Sequence, residues 1–117
     1  MSTTVYHLKA CDSCRKVLKK FSAANIDVTT IDVRDTPLSR ATLSRFLDVF
    51  GWEKLINRRS TTWRGLSDDE KNNAESTALE LLQAHPTLMK RPVIDGPSGL
   101  TLGTGKDDIA RHLSGTS

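Results

Sequence analysis

At the start of this 117-residue chain, patterns typical of β-strands alternate with the hydrophobic spacing of an α-helix. Thr3–Leu8 is rich in β-branched and aromatic residues, which predicts a first strand. Apolar side chains then follow the i, i+3, i+4, i+7 spacing of an amphipathic helix that ends near Asn25. They are Cys14, Val17, Leu18 and Phe21. Ile26–Val33 predicts a second strand, so the order strand, helix, strand indicates a βαβ unit with parallel strands.

A helical block is predicted over about residues 38–87. Ser39 is suited to cap a helix that ends at Gly51, and a short helix is predicted over Trp52–Ile56. Ser67 and Glu70 have the spacing of a capping box, which predicts one helix up to His85-Pro86. Its buried stripe is predicted to be Ala74, Ala78, Leu81 and Leu82.

The last part of the chain predicts two strands and a closing helix. Val93–Asp95 and Leu100–Leu102 are joined by the turn residues 96–99. Ile109 and Leu113 have the spacing of a short helix against the sheet. The whole order, β-α-β, helical block and β-β-α, predicts one α/β domain over residues 1–117.

Composition narrows the classes of function. Hydrophobic residues make up 37% and charged residues 26%, a globular mixture, and the net charge is only +3. That excess is too small to predict direct nucleic-acid binding. No apolar run approaches the roughly 20 residues of a membrane helix. We therefore expect a cytoplasmic monomer that binds no membrane.

The two cysteines, Cys11 and Cys14, carry the most chemical information. A pair separated by two residues, placed between a strand and a helix, favours redox chemistry. Cys11 lies where the helix begins, so backbone N–H groups and the helix dipole would stabilise its thiolate. Cys14 lies on the apolar stripe one turn later. We therefore predict that Cys11 attacks a disulfide and that Cys14 resolves the mixed disulfide.

Two other interpretations of the pair stay open. It could be half of a zinc site shared between chains, with His7 or His85 as a further ligand. It could also be two buried structural cysteines. His7, His85 and His112 have no mutual ligand spacing, so each is expected at the surface or hydrogen-bonded in the core.

Two further segments could contribute to a site. In Lys90–Val93, Pro92 could hold a cis peptide bond. In the predicted layout this loop could place Arg91 beside Cys11, where its charge would favour the thiolate and hold an anionic group of a substrate. The alternative is a surface arginine before an ordinary trans proline. Asn57–Arg64 combines three cations, hydroxyls and one indole. It could hold a carboxylate or an oxyanion, or be an exposed connector with Trp63 in the core.

Several landmarks recur in order between Val5 and about Leu113. They are Cys11 with Arg15 four residues later, Asp32, Pro37–Ser39, Leu55–Asn57 and His85–Ile94. In these residues the chain resembles the arsenate reductase ArsC/Spx family of thioredoxin-like proteins. The Asn57–Arg64 segment is most similar to the YffB subgroup.

The resemblance implies a thioredoxin-like fold with a mixed four-stranded sheet and an inserted helical block. It implies that Cys11 is the nucleophile and that Arg91 precedes a cis Pro92. The candidates for substrate binding are Arg91, Pro92, Asn57, Arg59 and Arg15. The implied activity is glutathione-dependent thiol-disulfide oxidoreduction, with glutathione as co-substrate and no bound cofactor or metal.

The same resemblance offers two other functions. Spx, a redox-responsive transcription regulator that binds the C-terminal domain of the RNA polymerase alpha subunit, shares Cys14. Arsenate reduction comes third, because the family's arsenate reductases have arginines where this chain has Asn57 and Leu102–Thr104. Each lost cation weakens a site for a small, multiply charged oxyanion.

Overall fold

The computed structural model describes residues 3–8, 11–97 and 99–115. It divides into two compact units, which we describe separately. The sheet unit comprises the chain up to Asp35 and from Arg91 onward, and the helical unit is Thr36–Lys90. The prediction of one domain over residues 1–117 stays a prediction.

The described residues of the sheet unit form four strands in the order β2-β1-β3-β4. Their bounds are β1 (Thr3–His7), β2 (Val28–Asp32), β3 (Val93–Gly96) and β4 (Gly99–Leu102). β1 is parallel to β2 and antiparallel to β3, and β3 is antiparallel to β4. The predicted parallel pair and mixed four-stranded sheet are therefore confirmed. Ser98, in the predicted turn between β3 and β4, lies outside the described residues.

Alternation along β1 gives this sheet its buried face. Thr3, Val5 and His7 are buried, whereas the residues between them are half-buried. Helices α1 (Asp12–Ala23) and α7 (Lys106–Gly115) supply the facing apolar side chains. The resulting core cluster contains Val5, Val17, Phe21, Ile94 and Ile109.

α1 begins earlier than its apolar stripe alone would indicate. Its N-cap is Cys11, in an extended conformation, so the helix includes both residues between the cysteines. Its buried residues are Cys14, Val17 and Phe21, as the spacing predicts. The helix ends before Asn25, which has a φ of 57°, a left-handed conformation that asparagine tolerates.

The helical unit contains five α-helices among its residues and one 3-10 helix, Pro86–Leu88. The α-helices are α2 (Arg40–Phe50), α3 (Trp52–Leu55), α4 (Thr61–Arg64), α5 (Asp68–Asn72) and α6 (Ala74–Ala84). α2 packs on α3 and α6. The predicted stripe on α6 is buried: Ala74, Ala78, Leu81 and Leu82.

The single helix predicted after Ser67 is wrong, because the chain forms two helices there. Ser67 and Glu70 do make a capping box at the start of α5. Asn73 then interrupts the helix: its side-chain amide donates to the Asp69 carbonyl at 2.9 Å. The Asn73 carbonyl accepts from the Thr77 hydroxyl at 2.9 Å. Such local side-chain hydrogen bonds compete with a continuous helix.

The Asn57–Arg64 segment is more ordered than the predicted connector. It contains α4, whose N-cap Ser60 accepts a hydrogen bond from the Trp63 N–H at 3.1 Å. The Asn57 N–H donates to the Leu88 carbonyl at 2.9 Å, so this segment is fixed to the 3-10 helix. Trp63 is half-buried. Sequence periodicity missed α4 because a helix of one turn has no repeating apolar face.

Within the described residues, no helix combines the length and apolar character that spanning a membrane requires.

One ionisable side chain lies inside the sheet unit. His112 on α7 is fully buried, and its Nε2 is 2.8 Å from the Thr101 hydroxyl on β4. Burial lowers the pKa of His112, and the charge of Arg111 lowers it further, whereas Asp108 and Asp95 raise it. His112 is therefore a core histidine that is hydrogen-bonded at Nε2.

We predict that the stability of the protein falls as the pH drops below about 6.5, the ordinary histidine pKa. The unfolded chain takes up a proton on His112 before the folded chain does, so acid favours unfolding, by at most about 1.4 kcal/mol per pH unit. Urea unfolding of wild type and His112→Phe between pH 7.5 and 5.5 measures this. The variant should lose that part of the pH dependence. An NMR titration of the His112 ring with a midpoint at or above the ordinary value would contradict the prediction.

Candidate functional site

Cys11 lies at the start of the helix that follows β1. Its N–H donates to the Leu8 carbonyl at 2.9 Å. The Cys11 carbonyl accepts from the Arg15 N–H at 3.1 Å, the first hydrogen bond of the helix. The backbone of Cys11 is extended, with φ −90° and ψ 113°. Its side chain therefore lies beside the N–H groups of the first helical turn.

Cys11 is a partly exposed free thiol. Partial burial raises its pKa, but the hydrogen bonds from the Cys14 side chain and from the Cys14 backbone lower it by more. The charge of Arg91 and the backbone N–H of Ser13 act in the same direction, so the pKa of Cys11 lies below its ordinary value. The structure thus favours a thiolate on the cysteine that solvent can reach.

Cys14 is a free thiol with no exposed surface. Burial, the hydrogen bond to the Cys11 side chain and the negative charge of Cys11 together raise the pKa of Cys14 to about 12. A hydrogen bond from the Leu8 backbone and the charge of Arg91 only partly oppose this. Only one of the two cysteines is buried, so the interpretation as two buried structural cysteines is wrong.

Arg91 and Pro92 belong to the same unit as the cysteines, and the Arg91–Pro92 bond is cis. The interpretation as an ordinary trans proline is therefore wrong. Pro92 is buried, and its carbonyl accepts from the Gly103 N–H at 2.9 Å. Arg91 is half-buried, and its charge acts on both Cys11 and Cys14. The structure thus brings Arg91 to the cysteine pair.

The other candidate binding residues have different surroundings. Arg15 is exposed on α1 and lies 3.5 Å from the Asp12 carboxylate. Asn57 and Arg59 belong to the helical unit. The Asn57 side-chain oxygen accepts from the Arg59 N–H at 3.1 Å, so this oxygen stabilises the turn before α4. Substrate binding by these three residues stays a prediction.

His7 differs from its prediction. It is 7% exposed at the end of β1, and its Nδ1 has no hydrogen-bond partner among the described residues. It is therefore neither a surface histidine nor one whose ring nitrogens are both satisfied.

Across residues 3–8, 11–97 and 99–115, no group of three or more His, Cys, Asp or Glu side chains could hold a metal ion.

The sequence predicts that backbone N–H groups lie near Cys11, because a helix begins there, but it does not indicate which ones. In the structure they are the N–H groups of Ser13 and Cys14. The side-chain hydrogen bond between the two cysteines was not predicted. The spacing of two intervening residues at a helix start is the signal that could have indicated it, because it returns the second side chain to the first.

Comparison with known proteins gives a consistent result. Residues 6–112 match the ArsC family. An uncharacterized protein of Haemophilus influenzae is 44% identical over 92 residues, which are 78% of this chain and 81% of that protein. The global transcriptional regulator Spx of Streptococcus pyogenes is 28% identical over 113 residues, 95% of this chain and 84% of Spx.

Solved structures agree with this match. The YFFB (PA3664) protein superposes with a TM-score of 0.89 at 29% identity, covering 96% of this chain and 99% of its own. An arsenate reductase (ArsC) related protein from Brucella melitensis has a TM-score of 0.74 at 36% identity, covering 97% and 93%. The thioredoxin-like fold expected for this chain is therefore confirmed.

We predict that a thiol-specific alkylating reagent modifies Cys11 first at neutral pH, while Cys14 stays unmodified, because its pKa is raised to about 12. Arg91→Gln should raise the pKa of Cys11 and slow its alkylation several-fold, because a nearby positive charge is lost. Alkylation rate and thiolate absorbance against pH measure both effects. The control is Arg111→Gln, which removes an exposed arginine on α7. Equal pKa values of Cys11 in wild type and Arg91→Gln would contradict the prediction.

Proposed function

The chain belongs to the ArsC family, a thiol-dependent redox family, and on that premise we propose that it is a glutathione-dependent thiol-disulfide oxidoreductase. The observation that carries the proposal is the asymmetry of the cysteine pair. Cys11 is partly exposed and has a lowered pKa, whereas Cys14 is buried and has a raised one. A nucleophile needs the first environment, and a resolving thiol is kept protonated in the second.

In the first step, the Cys11 thiolate attacks one sulfur of a disulfide between a substrate and glutathione. The S–S bond of the substrate breaks, a new S–S bond forms on Cys11, and one thiolate leaves and takes a proton. Arg91 is suited to bind an anionic part of the substrate, because its positive charge also acts on the attacking sulfur.

The first step removes the negative charge of Cys11 and its hydrogen bond with Cys14, and this allows the second step. Once Cys11 is in a disulfide, it no longer carries a negative charge or accepts the hydrogen bond from Cys14. Both effects raise the pKa of Cys14, so their loss makes its thiolate more accessible. Cys14 then attacks Cys11, the second thiol leaves, and a Cys11–Cys14 disulfide remains. Two glutathione molecules reduce it and leave as glutathione disulfide, so the cycle balances.

A second candidate function is redox-responsive transcription regulation. It is favoured by the 28% sequence identity to Spx, in an alignment that covers 95% of this chain. A partner of the kind that the Spx resemblance implies is the C-terminal domain of the RNA polymerase alpha subunit. On this hypothesis the Cys11–Cys14 disulfide would act as a switch instead of a catalytic intermediate. Direct binding of that domain in either redox state would favour it, and no binding in both states would remove it.

We predict that Cys11→Ser abolishes reduction of a glutathione mixed disulfide, by about a thousandfold or more, the scale lost when an enzyme's nucleophile is removed. Cys14→Ser should instead accumulate one glutathione on Cys11, whereas wild type forms an internal disulfide. Intact mass across a glutathione redox titration and steady-state turnover measure these outcomes. Lys54→Ser, an exposed change on α3, is the control. Full activity of Cys11→Ser would refute the proposal.

A further inference from the structure

The exposed side of α1 carries a basic face that the thiol chemistry does not use. It consists of Lys16, Lys19 and Lys20, all exposed on the side of the helix opposite its buried residues. Cys11 caps the same helix, so these charges are fixed relative to the attacking sulfur. The basic face therefore belongs to the same rigid element as the reactive thiol.

The basic face is unfavourable for the helix itself. Lys16 and Lys20 are four residues apart, and Lys16 and Lys19 are three apart, spacings at which like charges repel. The acid on this helix, Asp12, lies 3.5 Å from Arg15. None of the three lysines has an acidic partner within ion-pair distance among the described residues. Because folding gains little from these charges, they favour a role in binding.

A groove lies beside the basic face, near the edge of the sheet. It has a volume of about 450 Å³ and is lined by three apolar residues and four polar or acidic ones: Leu18, Ile26, Val28, Ser22, Asn25, Asp27 and Thr30. Ser22 lies three residues after Lys19, so the two occupy neighbouring positions on the helix surface. Strand β2, whose residue Val28 lines the groove, is at the edge of the sheet.

We propose that the basic face and this groove dock an extended, acidic segment of the protein on which Cys11 acts. The inference rests on the proposed function and names its substrate class. Acidic side chains of such a segment complement Lys16, Lys19 and Lys20, and its apolar side chains complement Leu18, Ile26 and Val28 in the groove. An edge strand also offers backbone hydrogen bonds to an extended chain.

Helix geometry fixes where the acidic residues of the substrate should lie. Lys19 is eight residues from Cys11, which corresponds to about 12 Å along the helix axis. An extended peptide advances about 3.3 Å per residue. The substrate class is therefore a protein with Asp or Glu about three to five residues from its reacting cysteine.

The test uses two glutathionylated peptides that differ only at positions three to five on both sides of a single cysteine. One has Glu at these positions and the other has Gln. At low salt, the Glu peptide should have a kcat/KM about tenfold higher, and the difference should vanish at high salt. The variant Lys16→Glu/Lys19→Glu/Lys20→Glu should reverse the preference. It should still reduce a small, uncharged disulfide as wild type does.

Three outcomes separate the docking surface from the reductase. Equal kcat/KM for both peptides, with turnover of the small disulfide intact, would overturn the docking surface and leave the proposed function standing. If no substrate is reduced, the proposed function fails. Docking is then decided by NMR, because a cysteine-free Glu peptide should still shift the amide signals of α1 and β2. Shifts produced by duplex DNA and not by this peptide would overturn the proposal.

The triple variant needs a control for folding. Its far-ultraviolet circular dichroism should match that of wild type, because all three side chains are exposed. If it does not fold, Lys16→Gln/Lys19→Gln/Lys20→Gln removes the charges without adding acids. That variant should treat both peptides alike. A retained preference for the Glu peptide would show that other residues recognise it.

Discussion

Stabilisation of a thiolate on Cys11 requires the chain to leave β1 and enter α1 at one fixed point. The N–H groups of Ser13 and Cys14 contribute to that stabilisation only because Cys11 is the residue that caps the helix. A start one turn later, at the first residue of the apolar stripe, would leave Cys11 in a loop without these donors. The Leu8 carbonyl, which accepts the Cys11 N–H, fixes the cap. Packing of Val17 and Phe21 on the sheet holds the helix behind it.

The same geometry makes the two cysteines unequal. Both are in one helical turn, yet one faces solvent and the other the core. Burial alone would raise the pKa of any thiol, and the proximity of Cys11 raises that of Cys14 further. Each cysteine therefore depends on the protonation state of the other: the Cys14 proton stabilises the Cys11 thiolate, and that thiolate retains the Cys14 proton. In a pair coupled in this way, Cys11 reacts first and Cys14 reacts second.

The features that sequence predicted well are those set by local physics. The spacing of Cys14, Val17 and Phe21 and the capping box at Ser67 depend on residues only a few positions apart. The features that it missed depend on partners far along the chain or on competing local bonds. The Asn57 N–H donates a hydrogen bond to the Leu88 carbonyl, a contact that no hydrophobic periodicity predicts. The Asn73 side chain forms a local hydrogen bond where the helix is interrupted. The position of Arg91 near Cys11 was one of two open interpretations, because the two residues lie far apart along the chain.

The short sequence of α1 therefore has to meet two structural requirements. Its inner side must be apolar enough to fill the core, and its first turn must present unpaired N–H groups to Cys11. Its outer side, which neither demand constrains, carries lysines at spacings where they repel one another. A surface selected only for stability would alternate acids with these bases and gain from each pair. Because the outer side does not, and because it is rigidly joined to the reactive sulfur, its charge is best understood as part of how a partner reaches Cys11.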